Sequence, residues 1–360
     1  VLPGYTYVRP LGSGGFADVF LFQQDMPRRH VAVKVLLSRI EDAQAARALA
    51  SEADVMARLS AHPSILTVYH AGVAPDGRPY LVSEYCPASL TNRYRQERMP
   101  VEEVLSIGVR IACAVETSHR AGLLHRDIKP SNILVTSFGH PVLSDFGVAS
   151  ALDKGEEDVI AMSPPWSAPE IVDRRTSGTV ATEVWALAAT VYTLLAQHSP
   201  FDIPGARRDD AELAKRIMRA KYSRIDRADV PDSLQRALEG GMRRLPGDRY
   251  PSAMSFAQAL QEVQAELGLA RTPLDVPSDE WRDASPEPAG DEPRHDVRST
   301  VPVQSQRMRR DADSHSQAGT KTRHERRAGQ LGRRIAVGGL IGGAAVIAAA
   351  ATAFFLLGGA

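Results

Sequence analysis

HRDIKPSN, His125–Asn132, gathers a carboxylate, an ammonium and a side-chain amide into one short loop. Asp127 is placed to orient a hydroxyl and accept its proton. Lys129, two residues on, is placed to steady a phosphate, and Asn132 offers a carbonyl oxygen to a metal ion. Downstream, SDFG (Ser144–Gly147) sets the Asp145 carboxylate beside a flexible glycine. That suits a divalent-cation ligand and, taken alone, suits a plain turn as well. Upstream, Lys34 ends the strand-like run VAVK, and Glu52, on the helix expected next, can pair with its ammonium. Further upstream, LGSGGFADV (Leu11–Val19) is crowded with glycines and small residues. It reads either as a hairpin turn or as a loop whose backbone lies on phosphates.

What separates these readings is order. Phosphoryl transfer from ATP needs a cover for the phosphates, a cation on them, oxygen ligands for Mg²⁺ and a carboxylate near the acceptor hydroxyl. The chain supplies each in turn, with the lysine in a strand, the glutamate in a helix and the acids in loops. LGSGGFADV, VAVK, HRDIKPSN, DFG and SAPE together, over roughly residues 5 to 265, resemble the eukaryotic-like (Hanks-type) serine/threonine protein kinases, of the membrane-tethered sort found in bacteria.

The resemblance implies an α+β, bilobal protein-kinase fold. An antiparallel β N-lobe with one helix would cover residues 1–86 and a mainly α C-lobe residues 87–268. It implies ATP and Mg²⁺ as cofactors, and protein substrates with serine or threonine acceptors, the chain itself included. Asp127, Lys129 and Lys34 take the catalytic roles, and Asn132 and Asp145 become the magnesium ligands. The nucleotide would meet Leu11, Gly12, Ser13, Gly14, Gly15, Val19, Ala32, Lys34, Glu52, Glu84 and Cys86, with Ala17 where many relatives carry a third glycine. Glu84–Cys86 resemble the hinge that binds adenine through its backbone, and Ser83 falls at a small gatekeeper position. Lysine two residues after the catalytic aspartate is the serine/threonine pattern. Glu170 and Arg249 resemble the buried ion pair that anchors the activation segment.

The chain departs from the pattern in TEVWALAA, where Glu183 replaces an aspartate and Ala188 stands near a usual glycine. The extra methylene of Glu183 requires the local geometry to shift or relax, which bears on turnover more than on nucleotide binding, and with Ala188 it motivates the alternative of a membrane-anchored pseudokinase or binding module. The segment Asp145–Glu170 has no threonine, and Ser163 falls where the family's threonine bridges the catalytic aspartate and lysine. The acidic run Glu156–Asp158 is expected either to pair with Arg126 or to form an exposed loop.

Lys plus Arg equals Asp plus Glu, 43 each in 360 residues, so no overall basic character suggests a nucleic-acid partner. The two cysteines, Cys86 and Cys113, have neither metal-ligand nor disulfide spacing and read as small hydrophobes in a reducing compartment. VFLF, HVAVKVLL and RPYLVSEY read as strands around an Ala-rich helix, Glu41–Leu59. Three later helices follow from VEEVLSIGVRIACAVETSHRAG, ATEVWALAATVYTLLAQ and SAMSFAQALQEVQAEL. Residues 269–334 lose hydrophobic periodicity and read as a disordered juxtamembrane linker.

Residues 335–357 carry no charge. At about 1.5 Å per residue they can cross a bilayer core of roughly 30 Å as a transmembrane helix in contact with membrane lipid. Lys321, Arg323, Arg326, Arg327, Arg333 and Arg334 precede them, against Glu325 alone, which predicts a single pass at the cytoplasmic membrane with everything N-terminal facing the cytoplasm. The Gly338–Gly342 and Gly339–Gly343 spacings suit pairing into a homodimer, although small residues are common in membrane spans generally.

Overall fold

The computed structural model describes residues 2–14, 17–37, 54, 56–146, 163–205 and 209–277. Most of the expected helix Glu41–Leu59, the acidic run Glu156–Asp158, the linker beyond residue 277 and the segment 335–357 lie outside the described residues. Among the described residues, no helix is long and apolar enough to cross a membrane.

The N-lobe is a five-stranded antiparallel sheet of β1 (Tyr5–Ser13), β2 (Ala17–Gln24), β3 (Arg29–Leu36), β4 (Val68–Val73) and β5 (Pro79–Glu84), in the order β1-β2-β3-β5-β4. Its register follows from β3. Side chains alternate across a strand, so Val31, Val33 and Val35 turn to one face, where they are buried with Val82 and Leu2. Ala32 and Lys34 necessarily turn to the other. The pairings Val19↔Lys34 and Ala32↔Ser83 then bring β2 and β5 beside them on that second face.

The C-lobe is built on α2 (Val101–Arg120), α4 (Val180–Ala196) and α7 (Ala253–Glu266), with shorter helices α1 (Leu90–Gln96), α3 (Pro169–Val172), α5 (Asp210–Met218) and α6 (Asp232–Gly241) around them. Glu102 and Glu103 lie in the first turn of α2 and His119 and Arg120 in its last, which complements the helix dipole. Gly108 lets the three long helices meet. A Cβ there would stand 2.7 Å from Leu260 and 3.1 Å from Val191. Gly122, at φ +77°, closes α2 in the left-handed conformation that a side chain disfavours. A second sheet, β6 (Ala88–Ser89), β7 (Ile133–Val135) and β8 (Pro141–Leu143), rests on this core and carries the loops of the site.

One boundary is corrected. Residues 269–277, assigned to the linker, remain on the C-lobe: Leu269, Leu274 and Val276 pack against its core and Thr272 is buried. Gln264 receives the Thr272 N–H at 2.9 Å and donates to its hydroxyl at 2.8 Å. His62 Nε2 meets the Asp275 carbonyl at 2.6 Å. The segment looks polar because its backbone is held by side chains rather than by a periodic apolar face.

Candidate active site

The second face of β3 opens onto a cavity of about 440 Å³, into which Leu11, Gly12, Val19, Ala32, Lys34, Ser83, Glu84, Cys86 and Asp145 all converge. The glycine stretch is the tip of the β1–β2 hairpin. Gly12 pairs with Val19 and Ser13 with Asp18, and the Gly14 N–H donates to the Ala17 carbonyl at 2.9 Å. A Cβ on Gly12 would meet nothing within 4 Å, and its φ is not in the left-handed range. The hairpin therefore does not need that glycine for its own folding, and the missing side chain clears backbone at the rim of the cavity. The hairpin reading of LGSGGFADV holds, and Leu11 and Gly12 border the cavity. Ser13 and Gly14 belong to the hairpin rather than to the cavity lining, and Gly15 and Glu52 lie outside the described residues.

Sequence reasoning missed the apolar half of this cavity, supplied by Met56, Leu66, Leu81, Leu134 and Phe146. The only signal for Leu134 was its place in NILV, directly after Asn132. Burial, reinforced by Glu84, pushes the Cys86 thiol up to about 12, and burial pushes Cys113 up to about 11, so both stay neutral.

The β7–β8 hairpin assembles the catalytic groups. Ile133 pairs with Leu143, so Asn132 and Ser144 face each other at its open end, with Asp145 next. The Ser144 N–H and hydroxyl both donate to the Asn132 carbonyl, at 2.8 and 3.0 Å. His125, fully buried, binds across this end. Its Nε2 donates to the Ser144 carbonyl at 2.8 Å and its Nδ1 accepts the Asp127 N–H at 3.2 Å, a pattern that fits the neutral ring. Asp127 is then held from three directions. The Asn132 amide donates to its carbonyl and its carboxylate at 2.8 and 2.9 Å, Lys129 Nζ lies 2.7 Å from Oδ2, and the Ser163 hydroxyl donates to Oδ1 at 2.8 Å. Lys129 also donates to Ser163 at 2.7 Å, so Ser163 makes the bridge expected of it.

Lys34 Nζ and Asp145 Oδ1 stand 2.5 Å apart at the cavity. Burial would raise the Asp145 carboxyl, but the adjacent Lys34 ammonium, with its hydrogen bond and with Lys129 behind it, holds it below the ordinary carboxylate value. Asp145 thus remains an anionic oxygen ligand near neutral pH.

Glu183 resolves the departure seen in the sequence. It is 2% exposed, and its two oxygens serve two partners: Oε1 accepts the Arg126 N–H at 2.6 Å and Oε2 accepts from His119 Nε2 at 2.6 Å. The longer side chain thus reaches the catalytic-loop backbone and His119 together. Arg126 sits at φ +67°, a costly conformation for a residue with a side chain, and the bond to Glu183 helps hold it there. Ala188 is accommodated from the opposite helix: a Cβ on Gly241 would stand 2.6 Å from the Ala188 methyl. Arg249 meets Glu170 in a buried two-pronged pair at 2.7 and 2.9 Å, as expected.

The family model for the protein kinase domain matches residues 5–263. The serine/threonine-protein kinase PknK of Mycobacterium bovis is 37% identical over 290 residues, covering 79% of this chain and 26% of its own. The serine/threonine-protein kinase PrkC of Bacillus subtilis is 29% identical over 257 residues, covering 69% of this chain and 39% of its own. The crystal structure of the Mycobacterium tuberculosis PknI kinase domain superposes with a TM-score of 0.53 at 30% identity, covering 73% of this chain and 96% of that one. The chain thus spans about a quarter of the length of the PknK relatives it matches.

Proposed function

The chain belongs to the protein kinase domain family and carries a serine/threonine protein kinase domain, and from that premise we propose that the whole protein phosphorylates serine and threonine hydroxyls of proteins, its own included, at the cytoplasmic face of a membrane. The observation that carries the catalytic part is the Asp127 carboxylate, fixed by Asn132, Lys129 and Ser163 beside a cavity that holds the Lys34–Asp145 pair. With this set present and connected, the pseudokinase alternative is not favoured.

ATP enters as a substrate in the cavity, its adenine end against Glu84–Cys86 and its phosphates under the β1–β2 tip. Asp127 orients the acceptor hydroxyl and takes its proton as that oxygen bonds to the γ-phosphorus. The bond to the β-phosphate oxygen breaks and ADP leaves. Lys34 and Lys129 supply positive charge on either side of the transferred group. The residues present fit magnesium. Asn132 turns its NH₂ to Asp127; its oxygen, which accepts from the Ser131 hydroxyl at 3.3 Å, has a second lone pair for the ion, and the ionised Asp145 is a second hard oxygen donor. When bound, the ion would neutralise charge on the triphosphate.

The membrane part of the proposal rests on residues 335–357 and the basic cluster before them, with pairing of the small-residue faces as the route to a homodimer. Mass spectrometry of the full chain incubated in vesicles with Mg-ATP tests the whole reading. Phosphate on serine or threonine in the native chain, none in Lys34→Met, and co-sedimentation with the vesicles are expected. Absence of phosphate from the native chain and from an added protein acceptor would overturn the catalytic part. Release of the chain from the vesicles by high salt would overturn the anchor.

A further inference from the structure

Beside Asp127 lies a second groove of about 280 Å³, walled by α1 residues Thr91, Tyr94 and Arg95 on one side and by Lys129 and Ser163–Trp166 on the other. Lys129 and Ser163, which both touch the Asp127 carboxylate, line this groove, so a chain lying in it carries its hydroxyl to the reacting end. Among the described residues the groove's charge is one-sided, for none of those that line it is a carboxylate and two are cations. The Lys129 charge is matched by Asp127 at 2.7 Å. That leaves Arg95.

The neighbouring arginine shows the contrast. Arg93, on the same helix, is tied to both Glu97 and Glu103. Arg95 has no ion pair among the described residues. Its guanidinium lies 5.7 Å from the Tyr94 ring centroid, and its side chain is exposed at the groove. In HRDIKPSN, Ser131 adds a hydroxyl to the same wall and no charge.

We propose that this groove selects acceptor segments bearing an acidic side chain close to the serine or threonine, with Arg95 as the specificity-determining residue. The inference rests on the kinase reading above. An acidic side chain gains an ion pair that the groove cannot satisfy internally, and a basic one meets like charge with no carboxylate to offset it. Exposed charges of this kind act mainly on which substrate is captured, and the effect weakens as salt rises.

The test uses the full chain with Mg-ATP and three sets of serine peptides that place Glu, Gln or Lys at each position within five residues of the acceptor. At one or more positions the native chain should favour Glu over Lys by about fivefold in kcat/KM, the size of an exposed ion pair. Arg95→Glu should invert that ratio at the same positions, and Arg95→Lys should preserve its sign. Raising salt should compress it. A native chain that takes Lys peptides as well as Glu peptides, or a ratio that Arg95→Glu leaves unchanged, overturns the inference while the kinase reading stands. Transfer to no peptide and none to the chain itself would overturn the kinase reading, and this inference with it.

Discussion

Removing the Glu183 carboxylate should slow phosphoryl transfer without weakening nucleotide binding. Glu183 is 2% exposed and accepts two short hydrogen bonds, one from the backbone of Arg126 and one from His119. A net bond to a charged group is worth about 1.5–3 kcal/mol, and Arg126 occupies a left-handed conformation that costs about 1–2 kcal/mol when unsupported. In Glu183→Ala the Arg126 N–H loses this acceptor, that strain is free to relax, and Asp127 is the very next residue. If about 3 kcal/mol of this holds Asp127 in register, kcat falls on the order of a hundredfold at about 1.36 kcal/mol per tenfold. Glu183→Gln keeps an oxygen for Arg126 and presents its amide to His119, whose Nδ1 has no hydrogen-bond partner among the described residues. A change of tautomer on His119 accommodates the amide, so only the charge assistance is lost, about 1.5 kcal/mol or roughly tenfold. The assay is radiolabel transfer from ATP, corrected for the folded fraction, with nucleotide affinity measured in parallel. Affinity should stay within about twofold, because all the cavity residues except Ser131 lie outside the His125–Asn132 loop. Glu183→Ala turning over at the native rate, or losing nucleotide affinity in step with kcat, would refute the reasoning.

Other consequences follow from the same structure. Ser163→Ala removes the hydroxyl between Asp127 and Lys129 and should lower kcat about tenfold, with Ser163→Thr restoring it, read in the same transfer assay. Arg249→Met strands the buried Glu170 carboxylate and should cost about 3–5 kcal/mol in urea unfolding. Arg249→Met with Glu170→Met should recover part of that loss, and two single losses that simply add would deny the pair. Burial lowers the His62 pKa, only partly opposed by the hydrogen bond to the Asp275 carbonyl and by the Asp275 carboxylate. The unfolded chain therefore takes up the His62 proton first as pH falls. The stability from the neutral ring is full above about 6.5 and is lost on acidification below it. Thermal melts from pH 7.5 to 5 should show a smaller drop in His62→Gln than in the native chain.

The chemistry was more legible than the architecture around it. Asp127, Lys129, Asn132, Asp145 and Lys34 could be read because each is a charged or amide group in a fixed local context, and Ser163 because its position relative to Asp127 resembles a known bridge. What joins them was not. β7 and β8 have three residues each, too few for a period-2 pattern, yet their pairing is what sets Asn132 beside Asp145. His119 and His125 read as ordinary helix and loop residues until the fold brought Glu183 and Ser144 to them. β4, Val68–Val73, escaped notice because none of its side chains is buried, leaving no alternation to read. The room for Ala188 comes from Gly241, and no local pattern links residues on separate helices.

The sharpest measurement is transfer of labelled γ-phosphate by the native chain and by Asp127→Asn, with nucleotide binding followed in both. Asparagine keeps the shape and the bond from Ser163 but cannot take the acceptor's proton. A loss of transfer of a thousandfold order, well beyond the roughly tenfold of a lost hydrogen bond, is expected with binding intact. Equal transfer by the two proteins would show that the proton goes elsewhere and that this loop is not the catalytic one.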